Sequence, residues 1–140
     1  MSSRRRRCLY DDGPQGASRW LDRTGAWADK LNSMPKYVVS STVEHPRWGA
    51  GVVLNGDVVA QVAEVKRDVA GEIVVYASYQ LVRSLIEHGL VDELRLFVFP
   101  VVLGGGERLF DGIDDRLPLR LAGARTLGVG LTFLNYEVVR

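Results

Sequence analysis

The sequence predicts an α/β fold in which helices flank a mixed, mostly parallel sheet, with a C-terminal antiparallel hairpin added to it. Short β-branched runs alternate with amphipathic stretches over residues 36–86, as expected where helices connect parallel strands. A long apolar run lies within residues 91–110 and predicts a buried strand. Two further strand-like segments, 119–127 and 131–139, are joined at Gly128-Val129-Gly130, which indicates the hairpin.

The composition is that of one soluble domain. The chain has 140 residues, of which 46% are hydrophobic and 25% charged, and this is enough to form a sizeable core. A formal net charge of +1 gives no general reason to bind nucleic acid or a membrane. Cys8 is the single cysteine, so an intrachain disulfide is excluded, and no apolar segment is long enough to cross a bilayer. We expect a cytoplasmic protein with neither nucleic-acid nor membrane partners.

Residues 1–22 are predicted to be an irregular N-terminal segment, and residues 23–140 to form the folded domain. An arginine run at 4–7 leads into a polar stretch rich in turn residues. Such a run can bind nucleic acid, and that binding would weaken steeply with salt. Because no aromatic residues or second basic cluster accompany it, a solvated tail is the favoured interpretation.

A helix is predicted over residues 23–31. Thr24 is placed to cap it, and helical spacing puts three apolar residues on a face that packs into the core: Trp27, Ala28 and Leu31.

The strand predicted over 36–42 ends in three hydroxyl side chains, those of Ser40, Ser41 and Thr42. Hydroxyl and backbone donors at the carboxyl end of a strand can hold a phosphate in an open α/β sheet. A strand end that is merely solvated by its own hydroxyls is the alternative. His45 follows without a second residue at metal-ligand spacing, so we predict no metal site.

The middle of the chain predicts a strand at 51–54 and a helix that Asp57 caps and Gly71 ends. The inner face of this helix is a stripe of valines: Val58, Val62, Val65 and Val69.

A further strand is predicted at 73–76, and a helix follows it directly. Ser78 is placed to cap this helix, and Gly89 ends it. Free N–H groups at the start of this helix can bind a phosphate or pyrophosphate. An ordinary capped helix is the alternative, because no complete Gly-x-Gly-x-x-Gly or Walker motif is present. The inner face of the helix is predicted to carry Leu81, Val82, Leu85 and Ile86.

The apolar run within 91–110 is predicted to be a strand buried on both faces. Pro100 cannot donate to a ladder, so the strand bulges or loses a partner there. Three consecutive glycines, 104–106, then mark a sharp turn or a close approach to the backbone.

This stretch resembles the signature of the RibD C-terminal domain family, which shares the dihydrofolate reductase fold. The matching segments are Gly-Leu-Val-Asp-Glu-Leu at 89–94, Pro-Val-Val-Leu-Gly-Gly-Gly at 100–106 and Leu-Phe at 109–110. The resemblance implies that the mixed sheet is of the dihydrofolate reductase-like type and that the similarity covers about residues 23–140.

The resemblance also implies an NADPH site. Ser40, Ser41 and Thr42 would receive the ribose and its 2′-phosphate, although Ser41 replaces the usual arginine and so removes a bidentate phosphate partner. The segment that resembles the family's Gly-Ser-x-x-Leu motif would hold the pyrophosphate, with Ala77 in the place of the glycine. It comprises Ala77, Ser78, Tyr79, Gln80 and Leu81.

Members of the family normally begin with a strand that ends in an Asp-Gly loop, followed by a Gly-Arg-x-Thr motif. The sequence indicates neither, so we expect the usual central strand to be missing and the chain to be a fragment, an altered gene start or a chain rescued by a partner.

The leading hypothesis is an NADPH-dependent reductase of the RibD C-terminal type, related by resemblance to riboflavin biosynthesis and to reduction of 5-amino-6-(5-phosphoribosylamino)uracil. It would transfer hydride to a small heterocyclic or ribityl substrate and would form a homodimer. No residue is assigned as its general acid. The alternative is a truncated, non-catalytic nucleotide-binding or relic domain.

Overall fold

The computed structural model of the chain describes residues 5–11, 23–44, 51–76, 78–113 and 115–140. It divides into two compact units, Met1–Leu81 and Val82–Arg140. The first unit contains β1 (Arg5–Asp11), α1 (Ala26–Ser33), β2 (Lys36–Val39), β3 (Gly51–Leu54), α2 (Val58–Asp68) and β4 (Gly71–Val75). The helix α3 (Tyr79–Glu87) runs across the division, and the second unit continues with β5 (Glu93–Val98), β6 (Leu119–Leu127) and β7 (Leu131–Val138).

The sheet of the first unit is parallel, with strand order β3-β2-β1-β4. The central strand is β1, which pairs with β2 from Cys8↔Lys36 onward and with β4 from Arg5↔Gly71 onward. The expectation that a central strand is missing is therefore wrong, and so is the prediction of irregular structure for Arg5–Asp11.

Because β1 begins with three arginines, its sequence does not resemble that of a buried strand. The two residues that follow the arginines nevertheless lie in the core. Cys8 and Leu9 are each 1% exposed. Since successive side chains of a strand point to opposite faces, both faces of the sheet are covered at this point. Cys8 belongs to a cluster with Leu31 of α1 and Val38 of β2, against which Met34 and Tyr76 pack.

The first helix begins later than expected. Gly25 precedes it with a φ of 114°, a conformation that favours glycine, and no side chain caps the helix, so Thr24 is not its cap. Ala28 and Leu31 are buried as predicted, but Trp27 is 51% exposed and the prediction that it packs into the core is wrong. Residues 12–22, which include Trp20, lie outside the described part of the chain.

The other predicted helices are confirmed with small changes at their ends. The Asp57 carboxylate accepts a hydrogen bond from Ala60 N at 3.0 Å and caps α2, which buries Val62. This helix ends at Asp68, so Gly71 begins β4 and does not end the helix as predicted. In α3, Leu81, Leu85 and Ile86 are buried, and Gly89 follows with a φ of 65°.

The second unit contains an antiparallel sheet with order β5-β7-β6, so the C-terminal hairpin is confirmed. The prediction that the 91–110 run is a strand buried on both faces is wrong. The ladder between β5 and β7 ends at Val98↔Thr132, and Val101 N then donates to Phe99 O at 2.8 Å in a tight turn around Pro100. Within β5 only Leu94 is buried.

The predicted α/β class is confirmed, with a parallel sheet, three helices and an antiparallel sheet among the described residues. The antiparallel strands form a sheet of their own among these residues and are not part of the parallel one. None of the described helices combines the length and the apolar character that crossing a bilayer requires.

Candidate nucleotide-binding edge

The two predicted phosphate-binding segments follow strands of the parallel sheet. Residues 40–42 come after β2, and residues 78–81 come after β4. Because β2 and β4 both run parallel to β1, their carboxyl ends lie at the same edge of the sheet. β1 separates them, so the two strand ends are roughly 10 Å apart. A ligand that reaches both segments must pass across the end of β1 at Asp11.

The strand order also places a topological switch point at this edge. The chain moves outward from β1 to β2 and β3, and then crosses back through α2 to β4 on the other side of β1. In open α/β sheets, ligands bind at the carboxyl ends of strands where the winding direction reverses. In this sheet that point lies between the ends of β1 and β4.

The turn after β2 is built by Ser40. Its backbone N–H donates to Leu54 O at 3.2 Å and so ties the turn to β3. Its hydroxyl oxygen accepts hydrogen bonds from Thr42 N at 3.3 Å and Val43 N at 3.1 Å. These two N–H groups are therefore engaged within the turn. The exposed hydroxyls of Ser41 and Thr42 are the donors that the turn presents to solvent.

The charge of this turn does not favour a phosphate dianion. Glu44 is exposed beside it, and residues 40–44 contain no cation. Ser41 stands where the resemblance places an arginine. Lys36 lies at the amino end of β2, away from this edge, and its ammonium donates to Asn32 O and Met34 O at 2.8 Å each. Lys36 thus satisfies carbonyl groups at the carboxyl end of α1, and it is unsuited to bind a ligand at the opposite edge.

Burial perturbs two groups in the core of the first unit. Desolvation raises the pKa of the Cys8 thiol to about 11, and the nearby Lys36 ammonium partly opposes this shift. Desolvation lowers the pKa of Lys36, and its interaction with Cys8 partly opposes that shift. The two residues are partners in the register of β1 and β2. Because Lys36 is the first residue of β2, the Cys8–Lys36 pair lies away from the edge formed by the carboxyl ends of the strands. We therefore assign the pair a structural role in the sheet.

The start of α3 provides the second segment. Ser78 is buried and directly precedes the first helical residue, Tyr79. Tyr79 and Gln80 are exposed, and Gln80 Nε2 donates to the Tyr79 hydroxyl at 3.4 Å, whereas Leu81 is buried. The first turn carries no acidic residue, so the positive end of the helix dipole is not neutralised by its own side chains. Ala77 lies outside the described residues.

The acidic pair of the signature serves contacts within the second unit. Asp92 Oδ1 accepts from Arg140 Nη2 at 2.8 Å, and the same nitrogen donates to Gly89 O and Val91 O. Glu93 pairs with Arg95 at 2.8 Å. These interactions give Asp92 and Glu93 structural roles within the second unit.

The glycine run 104–106 is exposed in the second unit, and Gly106 has a φ of 115°. No group of three or more metal-ligating side chains occurs among the residues that the structure describes.

Sequence reasoning missed the end of β1 as part of this edge, because the arginine-rich strand itself was not recognised. The signal in the sequence was the pair Asp12-Gly13, which follows Asp11 directly and matches the Asp-Gly pair that ends the first strand in members of the family.

The sequence model of the RibD C-terminal domain family matches residues 5–133. Two curated relatives come from Bacillus subtilis (strain 168). The uncharacterised protein YyaP is 32% identical over 107 residues, which are 76% of this chain and 56% of YyaP. The uncharacterised protein YwjB is 32% identical over 66 residues, which are 47% of this chain and 38% of YwjB. The chain thus spans about half the length, or less, of these relatives.

Solved structures share the fold. A candidate riboflavin biosynthesis protein from Shewanella sp. PV-4 superimposes with a TM-score of 0.78 at 19% identity, covering 99% of this chain and 76% of that one. Dihydrofolate reductase from Enterococcus faecalis, complexed with NADP(H), gives a TM-score of 0.64 at 11% identity and covers 95% and 74%. A deaminase/5-amino-6-(5-phosphoribosylamino)uracil reductase from Thermotoga maritima gives 0.59 at 11% identity, covering 97% and 46%. These structures show the fold, and the match of the family model over residues 5–133 shows that the chain belongs to the RibD C-terminal domain family.

Proposed function

We propose that the chain is a nicotinamide-dependent reductase domain that transfers hydride from NADPH to a C=O or C=N group of a small heterocyclic or ribityl substrate. The nicotinamide supplies the hydride, and the protein binds and orients it. The 5-amino-6-(5-phosphoribosylamino)uracil named for the Thermotoga maritima neighbour is the first substrate to test.

One observation carries the proposal: the segments 40–42 and 78–81 follow parallel strands on either side of β1, at the switch point of the sheet. In this arrangement Ser40, Ser41 and Thr42 bind the adenosine end of the cofactor. The first turn of α3 binds the pyrophosphate through its backbone N–H groups.

Thermal unfolding of the purified chain with NADPH, and separately with NADH, tests cofactor binding. A ligand present at a hundred times its dissociation constant stabilises the fold by about 2.7 kcal/mol. We expect both nucleotides to raise Tm, since the pyrophosphate is common to them. A cooperative transition that neither nucleotide shifts would contradict the proposal.

The charge of the Ser40 turn leads to a sharper expectation. Replacing Ser41 with arginine restores a bidentate partner for the 2′-phosphate, and a hydrogen bond to a charged group contributes about 1.5–3 kcal/mol. Ser41→Arg should therefore tighten NADPH binding by roughly tenfold or more and leave NADH binding unchanged. Ser41→Ala is the matched control, which should change neither affinity strongly. Equal gains for both nucleotides would show that the turn does not contact the 2′-phosphate.

A non-catalytic nucleotide-binding module is the second candidate. Ser41 and Ala77 both depart from the pattern that the resemblance implies, and each departure weakens contact with a cofactor phosphate. This candidate predicts a Tm shift with nucleotide but no oxidation of NADPH in the presence of the pyrimidine substrate.

The proposal also covers the location of the protein, its oligomeric state and its partners. We propose that it acts in the cytoplasm as a homodimer and binds a small-molecule substrate without nucleic acid or membrane. The contiguous exposed apolar residues in the second unit support self-association, since a patch of this kind on a protein surface commonly marks an interface. They are Phe97, Val98, Phe99, Val101, Val102 and Leu103.

A further inference from the structure

The side chain of Arg83 contacts one end of the segment that contains the glycine run. Arg83, in the second turn of α3, donates from Nε to Leu109 O at 3.0 Å and from Nη2 to Arg108 O. These carbonyl groups belong to consecutive residues that follow the glycines closely. Arg83 lies 26 positions before Leu109 in the sequence. The contact is therefore a tertiary one that joins the helix to the loop.

The loop is exposed over most of its length. Residues 99–108 are all exposed, and Leu109 is only partly buried. The hydrogen bonds of Arg83 connect α3 to the end of this loop. Within the loop, Asp111 N donates to Arg108 O at 3.3 Å and closes a turn on the same carbonyl that Arg83 engages.

The two hydrogen bonds to consecutive carbonyl groups depend on the planar geometry of the arginine guanidinium. A guanidinium presents Nε–H and Nη–H donors in a fixed planar fork, which suits two neighbouring acceptors. A lysine ammonium is a single point charge on a flexible stem and does not reproduce this geometry. Three consecutive glycines have wide conformational freedom, so fixing the chain immediately after them restricts the conformations that the loop can adopt.

We propose that Arg83 is a positioning residue, which fixes the conformation of the glycine loop 104–106 by holding the Arg108 and Leu109 carbonyls. The anchoring stands on the hydrogen bonds alone. Its consequence for catalysis rests on the proposed function and on the additional hypothesis that the conformation of the glycine run affects how the substrate is held. Arg83 itself contacts neither substrate nor cofactor in this role.

Hydrogen exchange of the full chain tests the anchoring. Arg83→Gln removes the charged fork, and Arg83→Lys keeps the charge without the fork. Loss of about 1.4 kcal/mol of local stability corresponds to tenfold faster exchange. We expect about tenfold faster exchange in peptides over residues 104–112 for both variants, with the β6–β7 hairpin unchanged. Arg120→Gln, at an exposed ion pair on β6, is the matched control and should leave residues 104–112 unchanged.

Each exchange outcome decides the anchoring. Unchanged exchange over 104–112 in Arg83→Gln would overturn it, and a wild-type pattern in Arg83→Lys would overturn the argument from the fork. If Arg83→Gln does not fold, Arg83→Lys carries the test by itself. Faster exchange throughout the second unit, hairpin included, would show a general structural role and also overturn the positioning role.

Steady-state kinetics with NADPH and 5-amino-6-(5-phosphoribosylamino)uracil test the consequence. Positioning predicts that Arg83→Lys lowers kcat by about tenfold or more while the Kd of NADPH stays unchanged. If Arg83→Lys exchanges faster over residues 104–112 and yet keeps the wild-type kcat, the catalytic part of the proposal is overturned. If the wild-type chain does not oxidise NADPH at all, the proposed function fails, and the exchange experiment still decides the anchoring independently.

Discussion

The two units of the chain differ in how the hydropathy of a segment relates to its burial. In the first unit, β1 begins with three arginines and yet is the central strand, with Leu9 1% exposed. In the second unit, the run that follows Leu94 is the most continuously apolar stretch of the sequence, and yet Leu103 is 78% exposed and Val102 is 95% exposed. The position of a strand in its sheet, and what covers that position, decides burial more strongly than the hydropathy of the strand.

The ladders explain this difference. Every residue of β1 pairs with β4 or with β2, and the two parallel ladders overlap at Cys8 and Leu9, which are both buried. The run of the second unit leaves its ladder at Val98, and Pro100 cannot donate to one. Residues 99–103 therefore form no ladder in the described structure, although their residue types favour a strand.

The largest expected effect compares two leucines, one from each region. Leu9→Ala removes a buried side chain from the central strand and should lower the free energy of unfolding by about 2–5 kcal/mol. Leu103→Ala is the matched substitution at an exposed site, and we expect a change within about 0.5 kcal/mol. Urea unfolding measures both. Similar losses in the two variants would mean that Leu103 is covered in solution, by a second copy for example, and the dependence of the loss on protein concentration would identify that case.

A pH experiment probes the core of the first unit. The pKa of Cys8 is raised to about 11 from its ordinary value of 9.0, so the folded state retains the thiol proton where the unfolded state loses it. Stability from this group is fully present below pH 9 and is lost as the pH rises toward 11, by at most about 3 kcal/mol. Lys36 acts in the opposite direction, because its pKa is lowered and stability rises as the pH approaches 10.5.

Comparison with a variant isolates the thiol. We expect Cys8→Ala to lose less stability than the wild type between pH 9 and 11, as measured by urea unfolding under reducing conditions. Lys36 titrates in both proteins, so its contribution largely cancels in the difference. Parallel pH profiles for the two proteins would show that the thiol is not buried as described.

The smallest effect concerns a local contact in the first unit. Asp57→Ala removes the side-chain acceptor that caps α2, and we expect a loss of about 1 kcal/mol. Asp57→Asn keeps a side-chain oxygen and should retain most of the stability, which separates the cap from the charge. Thermal unfolding measures the difference. A loss as large as that of Leu9→Ala would show that local capping matters as much as central burial in this unit.

Local sequence signals predicted much of the secondary structure. The bounds of β6 and the cap at Asp57 agree with the sequence analysis, because turn residues and capping side chains act over a few neighbouring positions. The β-branched run at 36–39 also predicted β2. The resemblance of residues 89–110 to the signature of the RibD C-terminal domain family lies in the residues themselves, and the match of the family model confirms it.

Three other features depended on residues that are distant in the sequence. β1 became the central strand because β2 and β4 pair with it on either side, although its own arginines favoured a solvated tail. The turn that follows β2 is tied to β3 by the hydrogen bond that Ser40 N donates to Leu54 O. Arg83 meets the carbonyls of Arg108 and Leu109 across more than twenty positions. Periodicity and residue type describe what a segment can form, whereas strand order, burial and tertiary hydrogen bonds depend on which partners the folded chain brings to it.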